Sequence, residues 1–338
     1  MATVPIFVGL DYSDQVVEVA VLDSQGKVLS NRPLANDGAE LDRFVRQFGS
    51  SIRAGIECGT GAANLTEELS ERFNWSIDMA HSGVVKHMKQ NPDKTDFQDA
   101  RVLGDLVRVG YLPRVWLPPE SIRELRRLVR YREELVAQRR QAKQRLRAIV
   151  RDARQKPACA TTRAWTKAWW VWLEQVAQFG PQSRWVLSQL KGEIERKTAD
   201  IATVEKRLTE VTGEDVVVNK LLQQRGIGPV TAWTLRAEIG NFERFNNGKQ
   251  LARYCGVSPC NASSGQRKAD AGLIKAASGS LRTVLIETAH RLARLEPRWV
   301  EFKAQKKKEG KAGSLIAGAI ANRWVRKLYY VMTGKAAA

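Results

Sequence analysis

The chain has 338 residues, 43% of them hydrophobic, enough for two compact domains with cores of their own. Its 55 Lys and Arg against 36 Asp and Glu give a formal net charge of +19, well beyond what solubility needs, so a polyanionic partner is expected, nucleic acid before a membrane surface. No apolar run reaches about 18 residues, the N-terminus MATVPIFVGLDYS lacks a signal-peptide pattern, and Cys58, Cys159, Cys255 and Cys260 show no paired metal spacing; this argues against membrane spans, a disulfide scaffold and a zinc module, and for a soluble intracellular protein with reduced thiols, which together with a DNA partner makes a cytoplasmic, nucleoid-associated location the expectation.

From Pro5 to Leu34, three β-rich runs, IFVGLDY, VVEVAVLD and KVLSNRPL, read as a meander, with Ser24-Gln25-Gly26 as a hairpin turn. A helix near Ala39 to Phe48, an apolar run IRAGIECG, a helix near Asn64 to Phe73 and a short strand at Ser76 to Ala80 follow. Strands first, then strands alternating with helices, predict an α/β layer on a mixed sheet. Phe97 to Val109 has helical spacing, with Ala100, Leu103, Leu106 and Val107 on one face.

Between about Pro119 and Val150 the texture changes to one long charged helix with an apolar stripe at Ile122, Leu125, Val129, Leu135 and Leu146. The tryptophan-rich stretch from Trp165 to Trp172 reads as helix packing rather than base stacking. Leu187, Leu190, Ile194, Ile201, Val204, Leu208 and Val211 follow a near-heptad spacing, which predicts a second long helix pairing with the first, within a chain or between subunits. The chain then becomes globular again and ends in a basic tail. Three segments are expected: residues 1–115, a helical coiled-coil connector 116–214, and a mainly α-helical C-terminal domain 215–338.

Four acids carry the chemistry. Asp11 ends an apolar strand on the face shared by Phe7 and Gly9, and Glu57 ends the run AGIECG in the same strand-then-glycine manner. Asp96 and Asp99, three apart at a helix start, project from one face, although Asp96 also reads as a simple N-cap. Four carboxylates brought together repel unless divalent cations neutralise them, and hard oxygen ligands around Mg²⁺ are what two-metal phosphoryl transfer requires.

GLDYSDQ, GIECGTG and KTDFQDARVLGDL, in this order, resemble the acidic motifs of the insertion-sequence one-ten family of transposases, relatives of the Piv/MooV DNA invertases. The resemblance implies an RNase H-like (RuvC-like) N-terminal domain whose D-E-D-D tetrad is Asp11, Glu57, Asp96 and Asp99, serving as catalytic residues and Mg²⁺ ligands.

RGIGPVTAWTLRAEIG, from Arg225, contains a turn leading into a helix; it reads equally as a phosphate-holding helix-hairpin-helix-like element and as a tight turn between packed helices. Beyond it, Gly256, Ser258 and Pro259, then Ser264-Gly265, Arg267, Lys268 and Lys275 resemble the family's transposase motif. That likeness implies Ser264 as nucleophile, with Ser263 beside it as the other candidate. After Lys275 the family's glycine is displaced by Ala276-Ala277-Ser278.

The family resemblance further implies an RNA-guided recombinase of a mobile element, a transient phosphoserine–DNA link, donor and target DNA and a structured non-coding guide RNA as partners, and a homodimer or tetramer. Phosphate contacts are expected along Arg123, Arg126, Arg127 and Arg130, and at Arg267, Lys268 and Lys275, unless the helix arginines form a solvated face. Two other readings stand beside this one: a RuvC-type structure-specific endonuclease that uses water, and a non-catalytic RNA-binding scaffold.

Overall fold

The computed structural model describes residues 4–88, 96–157, 163–261, 270–274 and 277–336. The chain divides into two units, Met1–Pro118 and Pro119–Ala338.

In the first unit, β1 (Ile6–Tyr12), β2 (Val16–Leu22) and β3 (Val28–Ala35) form the expected antiparallel meander. The Asp23 carboxylate closes the β2–β3 turn by accepting from the N–H groups of Gln25 and Lys27 at 2.8 and 2.9 Å. Next come α1 (Gly38–Val45), N-capped by Asp37, then β4 (Ile52–Glu57), α2 (Ala62–Glu71) and β5 (Ser76–Ala80). The unit ends with α3 (Ser82–Met88), α4 (Asp96–Arg108) and the short β6 (Arg114–Val115); α3 and β6 are additions to the sequence reading. The six strands lie in the order β3-β2-β1-β4-β5-β6, with β1, β4 and β5 parallel and the outer pairings antiparallel. This mixed sheet with its helices is consistent with an RNase H-like unit.

Strand alternation sorts the side chains into two layers. Ile6, Val8 and Leu10 pack with Val17, Val19 and Ile56 against Leu41 and Val45 of α1 and Leu65 and Leu69 of α2. On the opposite face Phe7, Ala20 and Leu22 meet Ala100 of α4. Each large apolar side chain buried this way contributes about 1.5–3 kcal/mol.

Helix α4 rests on a row of small residues. A Cβ on Gly9 would sit 1.7 Å from the Ala100 carbonyl oxygen and 2.5 Å from the Gly104 nitrogen, and one on Gly55 would sit 2.6 Å from Val107. Helix backbone cannot yield that space cheaply, so Gly9→Ala is expected to cost ~2–4 kcal/mol by lifting α4 off the sheet. Urea titration of the variant checks this, and a change below about 0.5 kcal/mol would refute the close packing.

In the second unit, α5 (Glu120–Asp152) and α7 (Pro181–Thr212) pair along their length within one chain, and α6 (Lys167–Gln175) joins them at one end. The predicted stripe residues Ile122, Leu125, Val129, Leu135 and Leu146 are all buried. At the α6 end, Trp169, Trp172 and Leu173 pack with Leu146, Leu187, Leu190 and Ile194. The tryptophans there contact one another at centroid distances of 4.9–6.0 Å, as the packing reading expected. One heptad position differs: Val211 is exposed and Thr212 takes the buried place. The cause is Trp233, whose indole N–H donates to the Thr212 hydroxyl at 3.0 Å, while that hydroxyl donates to the Leu208 carbonyl.

Beyond α7 lie α8 (Val216–Leu222), α9 (Pro229–Ile239), α10 (Gly248–Tyr254) and a small antiparallel pair, β7 (Pro259–Asn261) and β8 (Asp270–Leu273). The helices α11 (Gly279–Leu295), α12 (Pro297–Lys308) and α13 (Gly313–Thr333) complete the unit. Its largest core joins these helices to the nearer half of the α5–α7 pair through Leu125, Val129, Leu135, Ile201, Val204 and Leu208. No described helix is long and apolar enough to cross a membrane.

Candidate functional site

Asp11 and Glu57 stand at the carboxyl ends of neighbouring parallel strands. The ladder pairs Gly9 with Gly55 and Leu10 with Ile56, so its next step sets Asp11 beside Glu57 at the ~4.8 Å interstrand spacing. Both lie two residues beyond the paired glycines, and therefore on the face that α4 covers. On the other side of Asp11, the antiparallel ladder pairs it with Glu18 of β2. Cross-strand partners share a face, so three half-buried acids form one row across the sheet.

Helix α4 crosses this face transversely. The Asn31 side-chain amide of β3 donates to the Phe97 carbonyl at 2.8 Å, Ala100 rests on Gly9 of β1, and Val107 reaches Gly55 of β4. Asp99, 6% exposed, immediately precedes the Ala100 contact. Asp11 lies ~7 Å further along β1, by strand rise. Asp96 is the first residue of α4, and its side chain lies outside the described residues. The fold thus brings Asp11 and Glu57 together and carries Asp99 onto the same sheet face.

The donor chemistry suits a hard divalent cation. Among the described residues no three His, Cys, Asp or Glu side chains group closely enough to enclose a metal. Mg²⁺ does not need such a cage, since one or two carboxylates hold it while waters and substrate phosphates complete the shell. Two adjacent strand-end carboxylates fit that requirement. Burial, reinforced by the neighbouring Glu57 charge, raises the Cys58 thiol above its ordinary value.

The α5 arginines have internal work in the second unit. Arg126 donates to the carbonyls of Ala237 and Glu238 at 2.6 and 3.0 Å, capping the C-terminal end of α9 where those oxygens lack helical partners. Burial lowers the Arg126 guanidinium from its ordinary value, and Glu238 opposes that shift. Arg130 pairs with the nearly buried Glu238 carboxylate at 3.0 Å. Arg123 pairs with Glu120, and Arg127 with Glu120 and Glu124. Arg127 and Arg130 remain well exposed, so their faces are open to solvent in a way that Arg126 and Arg123 are not. Charge alone in the sequence does not separate these roles.

Ser263, Ser264, Arg267, Lys268 and Lys275 lie outside the described residues, but the stems flanking them are well fastened. The Arg282 guanidinium of α11 donates to the Gly256 carbonyl at 3.1 Å and to the Ile274 carbonyl. The Asn322 amide of α13 donates to the Val257 carbonyl and the Ser258 hydroxyl, both at 3.2 Å. The Ile274 N–H returns to the Ser258 carbonyl at 3.1 Å. Sequence reading missed Arg282 and Asn322; the available signal was an arginine in the first turn of the helix after the motif. Nearby Cys255 is fully buried, its thiol pushed up to about 12 by desolvation, and therefore inert.

Residues 8–154 match a family model described as a transposase, the DEDD type of IS110 elements, and residues 218–304 match the model of the transposase IS116/IS110/IS902 family. The first match spans β1 through α5, with all four acids; the second spans α8 into α12. A protein of Pseudomonas aeruginosa named "Probable family 20 transposase" is 26% identical over 96% of this chain and 96% of its own length. The transposase for insertion sequence element IS1111A of Coxiella burnetii is 22% identical over 85% of this chain and 77% of its own.

Proposed function

The chain belongs to the IS116/IS110/IS902 family of transposases, and from that premise we propose that Asp11, Glu57, Asp96 and Asp99 form a metal-dependent phosphoryl-transfer centre that works with Ser264 as nucleophile. The observation that carries the acid half is the β1–β4 register, which sets Asp11 next to Glu57 under α4. Support for the serine is the motif around it and its fastened stems. Mg²⁺ held by the four carboxylates would supply positive charge to the scissile phosphate and the leaving oxygen.

The chain's own groups do the rest. The Ser264 hydroxyl attacks phosphorus, a serine–phosphate ester forms, and the phosphate–deoxyribose bond breaks. The serine proton ends on the released DNA hydroxyl. One ester replaces another, so the step runs near energetic balance and reverses when a hydroxyl of the partner strand attacks the phosphoserine. Arg267, Lys268 and Lys275 neutralise the phosphate during transfer. Tetrad and serine act together, from one chain or from two.

The finer organisation follows the same reading. Residues 1–115 serve as the RuvC-like catalytic domain, 116–214 as a coiled-coil connector and 215–338 as the transposase domain. The turn at Gly226 to Pro229 between α8 and α9 acts as the helix-hairpin-helix-like phosphate holder. A structured non-coding RNA pairs with donor and target DNA while the protein, as a homodimer or tetramer, neutralises phosphates; the +19 charge supports this. On α5 the outward Arg127 and Arg130 carry those contacts more than Arg123 and Arg126, which hold the fold.

Manganese binding tests the acid centre without catalysis. Electron paramagnetic resonance titration of the full chain with Mn²⁺ is expected to show binding that weakens about tenfold or more in Asp11→Asn/Glu57→Gln. The metal-free variant should melt no lower than the parent, because carboxylate repulsion is relieved. Unchanged Mn²⁺ affinity would remove these residues from the metal site.

A further inference from the structure

Three cations from three elements of the second unit line one notch beside the hairpin that joins α8 to α9. Arg225 comes from the hairpin, Arg298 from the first turn of α12 and Lys327 from α13; Gln224, Glu296 and Trp299 complete the near wall. All three cations are exposed, and no carboxylate of the described residues forms a salt bridge with them. Arg298 lies over the buried Trp299 ring at 5.0 Å, which steadies the guanidinium plane without neutralising it. One acid against three cations leaves the notch strongly positive.

The hairpin holding Arg225 is fixed in place. Gly226 adopts φ +83°, a conformation that side chains rarely take. Its carbonyl accepts from Arg291 Nε at 2.9 Å, while Arg291 Nη2 donates to the hydroxyls of Thr231 and Thr288 at 3.0 Å. Ile227 is buried against the core. The neighbouring first turn of α9 opens at Gly228, where an added Cβ would touch nothing. A ligand can therefore reach the hairpin and the notch together.

We propose that this notch binds a backbone phosphate of duplex DNA, adjoining the contact made by the hairpin and the first turn of α9. Guanidinium groups match phosphate oxygens bidentately, and a lysine adds a point charge. Cations of this kind meet the phosphate backbone, which is the same for every sequence, so the contact positions DNA without reading it. The inference rests on the chain's acting on DNA, and not on the acid tetrad or on Ser264.

The test is fluorescence anisotropy of the full chain on a duplex of arbitrary sequence, without divalent cations, across a salt series. For Arg225→Gln/Arg298→Gln/Lys327→Gln, the slope of log affinity against log salt should shrink by roughly 0.9, with about fivefold weaker binding near 0.15 M salt. Glu296→Gln, which removes the one repelling charge, should tighten binding, a gain that misfolding cannot produce. A native-melting triple variant with unchanged slope overturns the proposal, as does a loss confined to structured RNA. Should the triple variant melt early, Glu296→Gln decides alone: tighter duplex binding supports the notch, and no change overturns it. Strand cleavage is not read in this assay, so failure of the catalytic reading and failure of the notch are separately visible.

Discussion

Glu57→Gln is expected to lower single-turnover strand cleavage by roughly a thousandfold or more while the chain stays folded. The substitution keeps the side chain's size and removes only its charge, at a half-buried position ending β4 beside Asp11. A neutral amide is a weaker ligand for a hard cation than a carboxylate, and it leaves charge developing on the scissile phosphate uncompensated. Asp11→Asn should behave alike, because both acids occupy the same step of one ladder. Glu18→Gln offers a contrast within the same row: it borders Asp11 from the antiparallel side, away from Glu57, and should cost far less. Cleavage of end-labelled donor DNA at saturating Mg²⁺, with circular dichroism as the folding control, measures all three. Cleavage by Glu57→Gln within a few-fold of the parent would contradict the assignment.

Ser264→Ala is expected to abolish both the covalent protein–DNA species and strand rejoining. A serine that forms an ester in the reaction has no substitute once its oxygen is gone, so the loss should reach the detection limit rather than a modest fraction. Ser263→Ala should retain adduct formation. DNA binding by Ser264→Ala should stay at the parental level, because the phosphate contacts come from cations elsewhere. The endonuclease reading expects the opposite pattern: water is the nucleophile there, and Ser264→Ala cleaves at full rate without ever forming an adduct. A scaffold without catalysis would show no cleavage for the parent chain and none for any variant.

Much of the sheet was legible in the sequence because alternation is a strong local signal. Ile6, Val8 and Leu10 against Phe7, Gly9 and Asp11 defined two faces, and both faces are packed as that pattern requires. The positions of Asp11 and Glu57 at strand ends followed from the same runs. Their adjacency did not, since it depends on β1 and β4 being neighbours although 39 residues separate the end of one from the start of the other. Glu18 carries no signal of its own for the same reason: its relation to Asp11 exists only in the cross-strand register.

Long-range partners also explain the differences in the helical unit. Nothing within α5 says that Arg126 caps α9 or that Arg130 meets Glu238, because both partners lie more than 100 residues away. The choice of Thr212 over Val211 as the buried position was made by Trp233, again from another helix. Ser264 is a different case. Its immediate neighbours, Ser263 and Gly265, carry no chemical signature of a nucleophile, and only the wider motif singles it out.

Metal-bound carboxylates and a serine ester acting in one reaction would leave a covalent trace that mass spectrometry of a trapped complex can read. The parent chain is incubated with donor DNA and Mg²⁺, denatured, digested with protease and nuclease, and searched for a nucleotide-linked peptide. The expected result is one linked peptide, modified at Ser264, present with Mg²⁺ and missing both with a chelator and in Glu57→Gln. Cleaved DNA without any linked peptide, or a link at another residue, would contradict it.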